Sequence, residues 1–130
     1  MSEHIHTNKA PEFPLPMSQA LRAGDFVYVS GQVGVYPSTR EIVGPTIEEQ
    51  TEQCLRNIEI ILEEAGLTLD HVIKINAYIS RSEDFPAYNR TYEQVFNKPF
   101  PTRTSLPSNL SPYLIEIDAI AYAPSRRGQS

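Results

Sequence analysis

Two places in this sequence carry side chains suited to chemistry on a small anion. Arg103 follows Pro99-Phe100-Pro101-Thr102, where a proline-stiffened segment holds a guanidinium at the start of a short expected strand, Thr102–Leu106. The planar arginine fork matches a carboxylate through two parallel hydrogen bonds, and its charge does not titrate away. On position alone an ordinary surface ion pair is the simpler reading. The second place holds Glu116 and Asp118. Carboxylates at i and i+2 of a strand project from one face, roughly 7 Å apart. Beside Leu114, Ile120 and Tyr122 they are partly desolvated, which raises a carboxyl pKa toward general acid–base work. The alternative is that they pair with Lys74 or with cations of a neighbouring subunit.

Other reactive residue types lead nowhere so definite. His4 and His6 share one face of a possible first strand, with His71 far off in sequence, so a zinc site lacks its third ligand. No metal is expected. Cys54 falls on an apolar helix stripe and reads as a buried small hydrophobe, not a nucleophile. Gly31 and Gly34 lack the further glycine and helix start of a phosphate loop. Ser30, Ser105 and His71 show no spacing that orders them as a triad.

The elements that must position these groups are legible from periodicity. Ile47, Cys54, Leu55, Ile58, Ile61, Leu62 and Ala65 recur at helical spacing over Ile47 to Ala65. Thr46 with Glu49 predicts a capping box, and Gly66 supplies the stop. A second helix is expected over Phe85 to Phe96, with Phe85, Tyr88, Tyr92, Val95 and Phe96 on one stripe and Pro86 tolerated in the first turn. Strands alternate with period two. Ile73, Ile75, Ala77 and Ile79 form one apolar face, as do Ile115, Ile117, Ala119 and Ala121. Ala20–Arg22 and Phe26–Ser30 flank a turn at Ala23-Gly24-Asp25. The order ββ-α-β-α-ββ implies an α+β fold, with two helices on one face of a sheet. The opposite face mixes Lys74, Asn76, Tyr78, Glu116 and Asp118 with Leu114, Ile120 and Tyr122, and a second copy of the chain is the expected cover.

Size and charge narrow the function. With 130 residues, residues 1–130 form one domain, with 1–9 and 124–130 expected as loose ends. A chain this short encloses a deep pocket poorly, which favours a site between subunits. Eleven Lys and Arg against sixteen Asp and Glu give a net charge of −5, the wrong sign for binding nucleic acid. No apolar run approaches the roughly 18 residues of a membrane span. The lack of an apolar leader in Met1–Ala10 and the single cysteine point to a cytoplasmic protein.

These features fall into a recognisable pattern. The chain resembles the Rid family (reactive intermediate deaminases, the YjgF group) over nearly its whole length. The matching stretches begin with Asn8-Lys9-Ala10-Pro11, Ser18-Gln19-Ala20, Gly24-Asp25 with Val29-Ser30-Gly31-Gln32, and Gln50-Thr51. Tyr88-Asn89 with Tyr92, Pro101-Thr102-Arg103-Thr104-Ser105, and Ile115-Glu116-Ile117 through Ala121 complete the set.

The resemblance implies a chorismate-mutase-like two-layer fold, a homotrimer, and clefts between subunits. It implies hydrolysis of small 2-imino acids such as 2-iminobutyrate and 2-iminopropionate, or their enamine tautomers, to 2-oxo acids and ammonia, with no cofactor. Carried over by position, Arg103 clamps the substrate carboxylate and Glu116 holds and activates water. Gly31 and Asn89 shape the cleft, and Asp118 is a second-tier candidate at a position that usually carries an acid, catalytic or structural. Met17 stands where many members have a tyrosine that lines the pocket, and Ser105 where a cysteine is common, so both count as substrate-binding positions. A non-catalytic protein that binds small carboxylates such as 2-oxo acids in the same clefts is the alternative. A ribonuclease or translation-inhibitor role, attached to some relatives, fits the charge least.

Overall fold

The computed structural model describes residues 2–124. Six strands form one sheet: β1 (Ser2–Ile5), β2 (Ala20–Ala23), β3 (Phe26–Val33), β4 (Val72–Ile79), β5 (Thr102–Pro107) and β6 (Ile115–Tyr122). Their order is β1-β2-β3-β6-β4-β5, and every pairing is antiparallel except the parallel β4–β5 contact. Helices α1 (Ile47–Glu64) and α2 (Phe85–Val95) pack on one face. The α+β arrangement of two helices on a mixed sheet is as the sequence implies. A parallel neighbour needs a crossover, and α2 supplies it between β4 and β5.

Local signals explain the elements. In α1, Thr46 Oγ1 accepts from Glu49 N at 3.1 Å while the Glu49 carboxylate receives Thr46 N at 3.3 Å. The expected capping box is therefore complete. Gly66, at φ +77, ends the helix as Leu67 N bonds back to Leu62 O. The apolar stripe of α1 meets β3 and β6, with Cys54, Leu55, Ile58, Ile61 and Leu62 fully buried. The β2–β3 connection is a two-residue turn whose first central residue, Gly24, has φ +61. Such hairpins demand a positive φ there.

Two expectations change. Residues 2–5 are not a loose end: they pair in register with β2, and Ile5 is buried in the core. The expected C-terminal tail lies, beyond Pro124, outside the described residues. Ile73 was expected on the core face of β4, yet it is 42 % exposed while Val72 is buried. A register shift against β6 between Val72 and Lys74 is the cause. An extra residue in one strand of an antiparallel pair turns the side chains before it to the other face.

Candidate functional site

The α2–β5 edge is built on aromatic rings. Phe85, Tyr88, Tyr92 and Phe96 lie three or four residues apart and so stack on one side of α2. Tyr88 and Tyr92 meet edge to face at 5.7 Å, and Tyr92 rests against Phe96 at 4.7 Å. Arg103 is in register with Ile75, whose side chain is in the core, so it leaves β5 on the helix side. Its Cζ lies 5.1 Å from the Tyr88 ring centre and 5.0 Å from that of Tyr92. This is cation–π geometry on two rings at once. Among the described residues no carboxylate pairs with Arg103, so the simple ion pair is not found.

Around the guanidinium, Asn89, Tyr92, Glu93, Phe100, Pro101 and Arg103 line a cavity of about 300 Å³. The wall carries two charged side chains, Arg103 and Glu93, among aromatic and apolar groups, and the guanidinium fork, seated on the rings, suits a small molecule with one carboxylate. Burial is the main cause that pushes the Tyr92 phenol up to about 12, so it stays neutral beside Arg103.

Glu116 occupies a different surface. It pairs with Tyr78, on the sheet face without helices. Burial first, and then the neighbouring Asp118, raise its carboxyl pKa above the ordinary value. Gly31 makes room for it, because a Cβ there would overlap the carboxyl group, its Cδ lying 2.9 Å away. Gly31 sits at the register shift between Val29 and Gln32 in the β3–β6 pairing. Asp118 accepts from Asn76 Nδ2 at 3.0 Å. Its pKa is also raised by burial, partly offset by hydrogen bonds from Asn76 and Tyr78 and by the charge of Lys74. Among the described residues neither acid forms a close ion pair.

The expected site residues thus fall into separate groups. Arg103 and Asn89 share the α2–β5 cavity. Ser105 is nearby, but its hydroxyl is bonded to Tyr88 Oη at 2.9 Å. Glu116 and Gly31 are together on the open face. In register, Glu116 matches Tyr78 and Leu106, three residues past Arg103. Two strand spacings and that offset put the backbones on the order of 14 Å apart, with the side chains on opposite faces. Met17 is exposed on the β3 side, lining pockets with Ser30 and Gln32, the residues that flank Gly31. The rings of Tyr88 and Tyr92 were legible only as a core stripe. Their place beneath Arg103 follows from the parallel crossover, which the aromatic spacing next to a proline-rich, arginine-bearing strand could have signalled.

The remaining candidates behave as simple structural groups. Cys54 Sγ is buried, donates to Gln32 O at 3.2 Å, and has its pKa raised well above the ordinary value, chiefly by burial. His6 meets Glu12 at 2.7 Å. Among the described residues no group of three or more His, Cys, Asp or Glu is placed to hold a metal.

Known proteins resemble this chain in sequence and fold. Residues 7–123 match the family model described as Endoribonuclease L-PSP. The chain belongs to this family, the Rid family. It is 43 % identical over 124 residues to a RutC family protein of Pyrococcus horikoshii, covering 94 % of this chain and 98 % of that one. A 2-iminobutanoate/2-iminopropanoate deaminase of Dermatophagoides farinae is 36 % identical over 121 residues, covering 89 % of this chain and 92 % of the relative. The crystal structure of Escherichia coli TdcF with bound serine superposes with a TM-score of 0.86 at 32 % identity, covering 92 % and 98 % of the two chains. Among the described residues of this Rid protein no helix is long and apolar enough to cross a membrane.

Proposed function

We propose that this protein is a hydrolytic deaminase of small 2-imino acids and their enamine tautomers, working in clefts between the subunits of a homotrimer. The observation that carries the reading is Arg103: a guanidinium without a carboxylate partner among the described residues, seated on two tyrosine rings in the wall of a cavity. In this role it binds the substrate carboxylate through two parallel bonds. Glu116, with its raised pKa, takes a proton from water as the oxygen attacks the imine carbon. Glu116 then returns that proton to the carbinolamine nitrogen, and the C–N bond breaks as the hydroxyl gives its own proton back to Glu116, leaving the 2-oxo acid and ammonia. An enamine first takes a proton at carbon to become the imine. No cofactor enters this scheme. Most of the gain is positional, since a protonated imine is already electrophilic.

One copy cannot bring Arg103 and Glu116 to the same substrate, because they leave opposite faces of its sheet. A neighbouring copy must supply the missing half. Its docking surface is the open face, where Tyr28, Leu106 and Tyr122 are 48, 43 and 42 % exposed. The deaminase named among the relatives supports the chemistry. The serine bound by TdcF supports the second reading, a carboxylate-binding protein without turnover. With net charge −5 and two acids on the open face, RNA is the poorest fit.

The test is ammonia release from 2-iminobutyrate generated in situ, run beside thermal shift with 2-oxobutyrate. Acceleration over buffer that Arg103→Ala abolishes supports the deaminase. Saturable stabilisation without acceleration, across several imino acids, selects the binding protein. Light scattering should give a mass of three 14.7 kDa chains, and a monomer would overturn the shared cleft.

A further inference from the structure

Among the described residues β5 is an edge strand, its backbone ladder made with β4 alone, and it is largely exposed. An arginine on such an edge would ordinarily sample many rotamers, and each ordered rotamer is a cost at binding. Here something holds it. Ser105 lies two residues after Arg103 and so leaves β5 on the same side, and its Oγ is 2.9 Å from Tyr88 Oη. Tyr88 is fully buried. Its ring is braced by Phe85 at 6.1 Å and Tyr92 at 5.7 Å, both near edge-to-face. A single side chain thus grips β5 through its hydroxyl and carries the Arg103 guanidinium on its face.

We infer that Tyr88 and Ser105 are positioning residues that fix the Arg103 fork before a ligand arrives, a role that rests on the carboxylate-clamp reading above. Ser105 then acts on Tyr88 instead of on substrate. The hydroxyl bond sets the depth of β5 against α2, the tyrosine faces set the plane of the guanidinium, and a carboxylate meets both N–H groups already aimed.

The mobility of Arg103 Nε, measured by 15N relaxation in the ligand-free protein, tests this without any activity. Arg90, exposed on α2, serves as the internal reference. Arg103 should be ordered in the wild type and approach the mobility of Arg90 in both Tyr88→Phe and Ser105→Ala. The dissociation constant for 2-oxobutyrate should rise about three- to tenfold in each variant, the worth of one hydrogen bond. The double variant should be no weaker than the weaker single one, and Ser105→Thr should restore wild-type affinity. An Arg103 as mobile as Arg90 in the wild type overturns the inference. So does a loss of melting temperature in both variants with unchanged Arg103 mobility. If Arg103 is ordered and the variants release it, yet the wild type binds no carboxylate, the positioning pair stands and the functional reading fails.

Discussion

Replacing Gly31 by alanine puts a methyl group where the Glu116 carboxyl now lies. A Cβ at Gly31 would sit 2.9 Å from Glu116 Cδ and overlap Oε2, whereas ordinary contacts begin at 3.4 Å. The carboxyl must therefore withdraw by at least 0.5 Å at Cδ, and its oxygen by on the order of 1 Å. A misplacement of that size in a group that aims a nucleophile costs about a hundredfold in rate, or about 2.7 kcal/mol of barrier. The fold should hardly notice. Gly31 is not among the glycines with positive φ, and the displaced atoms end a flexible side chain. Stability should thus change by no more than about 1 kcal/mol. The assay is kcat/KM for 2-iminobutyrate by coupled ammonia detection, with a thermal melt on the same sample. Wild-type kcat/KM in Gly31→Ala refutes the assignment of Glu116 as water holder. A fall in activity matched by a large fall in melting temperature moves Gly31 from the site to the fold.

Arg103→Lys keeps the charge and loses the fork. It should weaken 2-oxobutyrate binding tenfold or more in calorimetry, the loss expected when a bidentate contact becomes a point charge. Burial and Asp118 raise the Glu116 pKa in the folded chain, so the folded state binds that proton more tightly than the unfolded state. Stability from this group is then greatest at low pH and declines as pH rises from the ordinary carboxyl range through the raised value. Glu116→Gln should match wild type below that window and melt higher above it. Wild-type kcat/KM should fall on acidification through the same raised value, because the protonated acid cannot accept from water. Thr46→Ala removes the cap on Glu49 N and should cost about 1 kcal/mol. The melting point should drop a few degrees with carboxylate affinity unchanged.

How far these residues could be read in advance depends on which forces place them. Helix α1 and its cap were legible because the apolar period, Thr46, Glu49 and Gly66 all act locally. The core face of β6 was legible because strict alternation survives along Ile115–Tyr122. Ile73 departs from the alternation of its neighbours because the slip at Val72–Lys74 depends on the partner strand, which local sequence does not describe. Residues 2–5 read both as a loose end and as a possible first strand, and the pairing with β2 that decides for the strand is not written in their own hydrophobicity. At the site, Arg103 and Glu116 stood out by residue type. Their opposite faces did not, since that follows from the registers Ile75–Arg103 and Tyr78–Glu116. Tyr88 was visible as apolar mass, while its hydroxyl contact with Ser105 exists only once α2 has crossed over the sheet.

The opposed faces of Arg103 and Glu116 have a consequence at the level of populations of chains. If every cleft borrows one group from each of two copies, a lesion in one group does not condemn the other. Arg103→Ala and Glu116→Gln chains, each inert alone, should complement each other when dissociated together and reassembled. A mixed trimer holds one cleft in which the intact arginine of one copy faces the intact glutamate of the next. Conversely, dilution past the assembly's dissociation point should extinguish turnover while each chain remains folded. Concentration itself would then act as the on-switch for the chemistry.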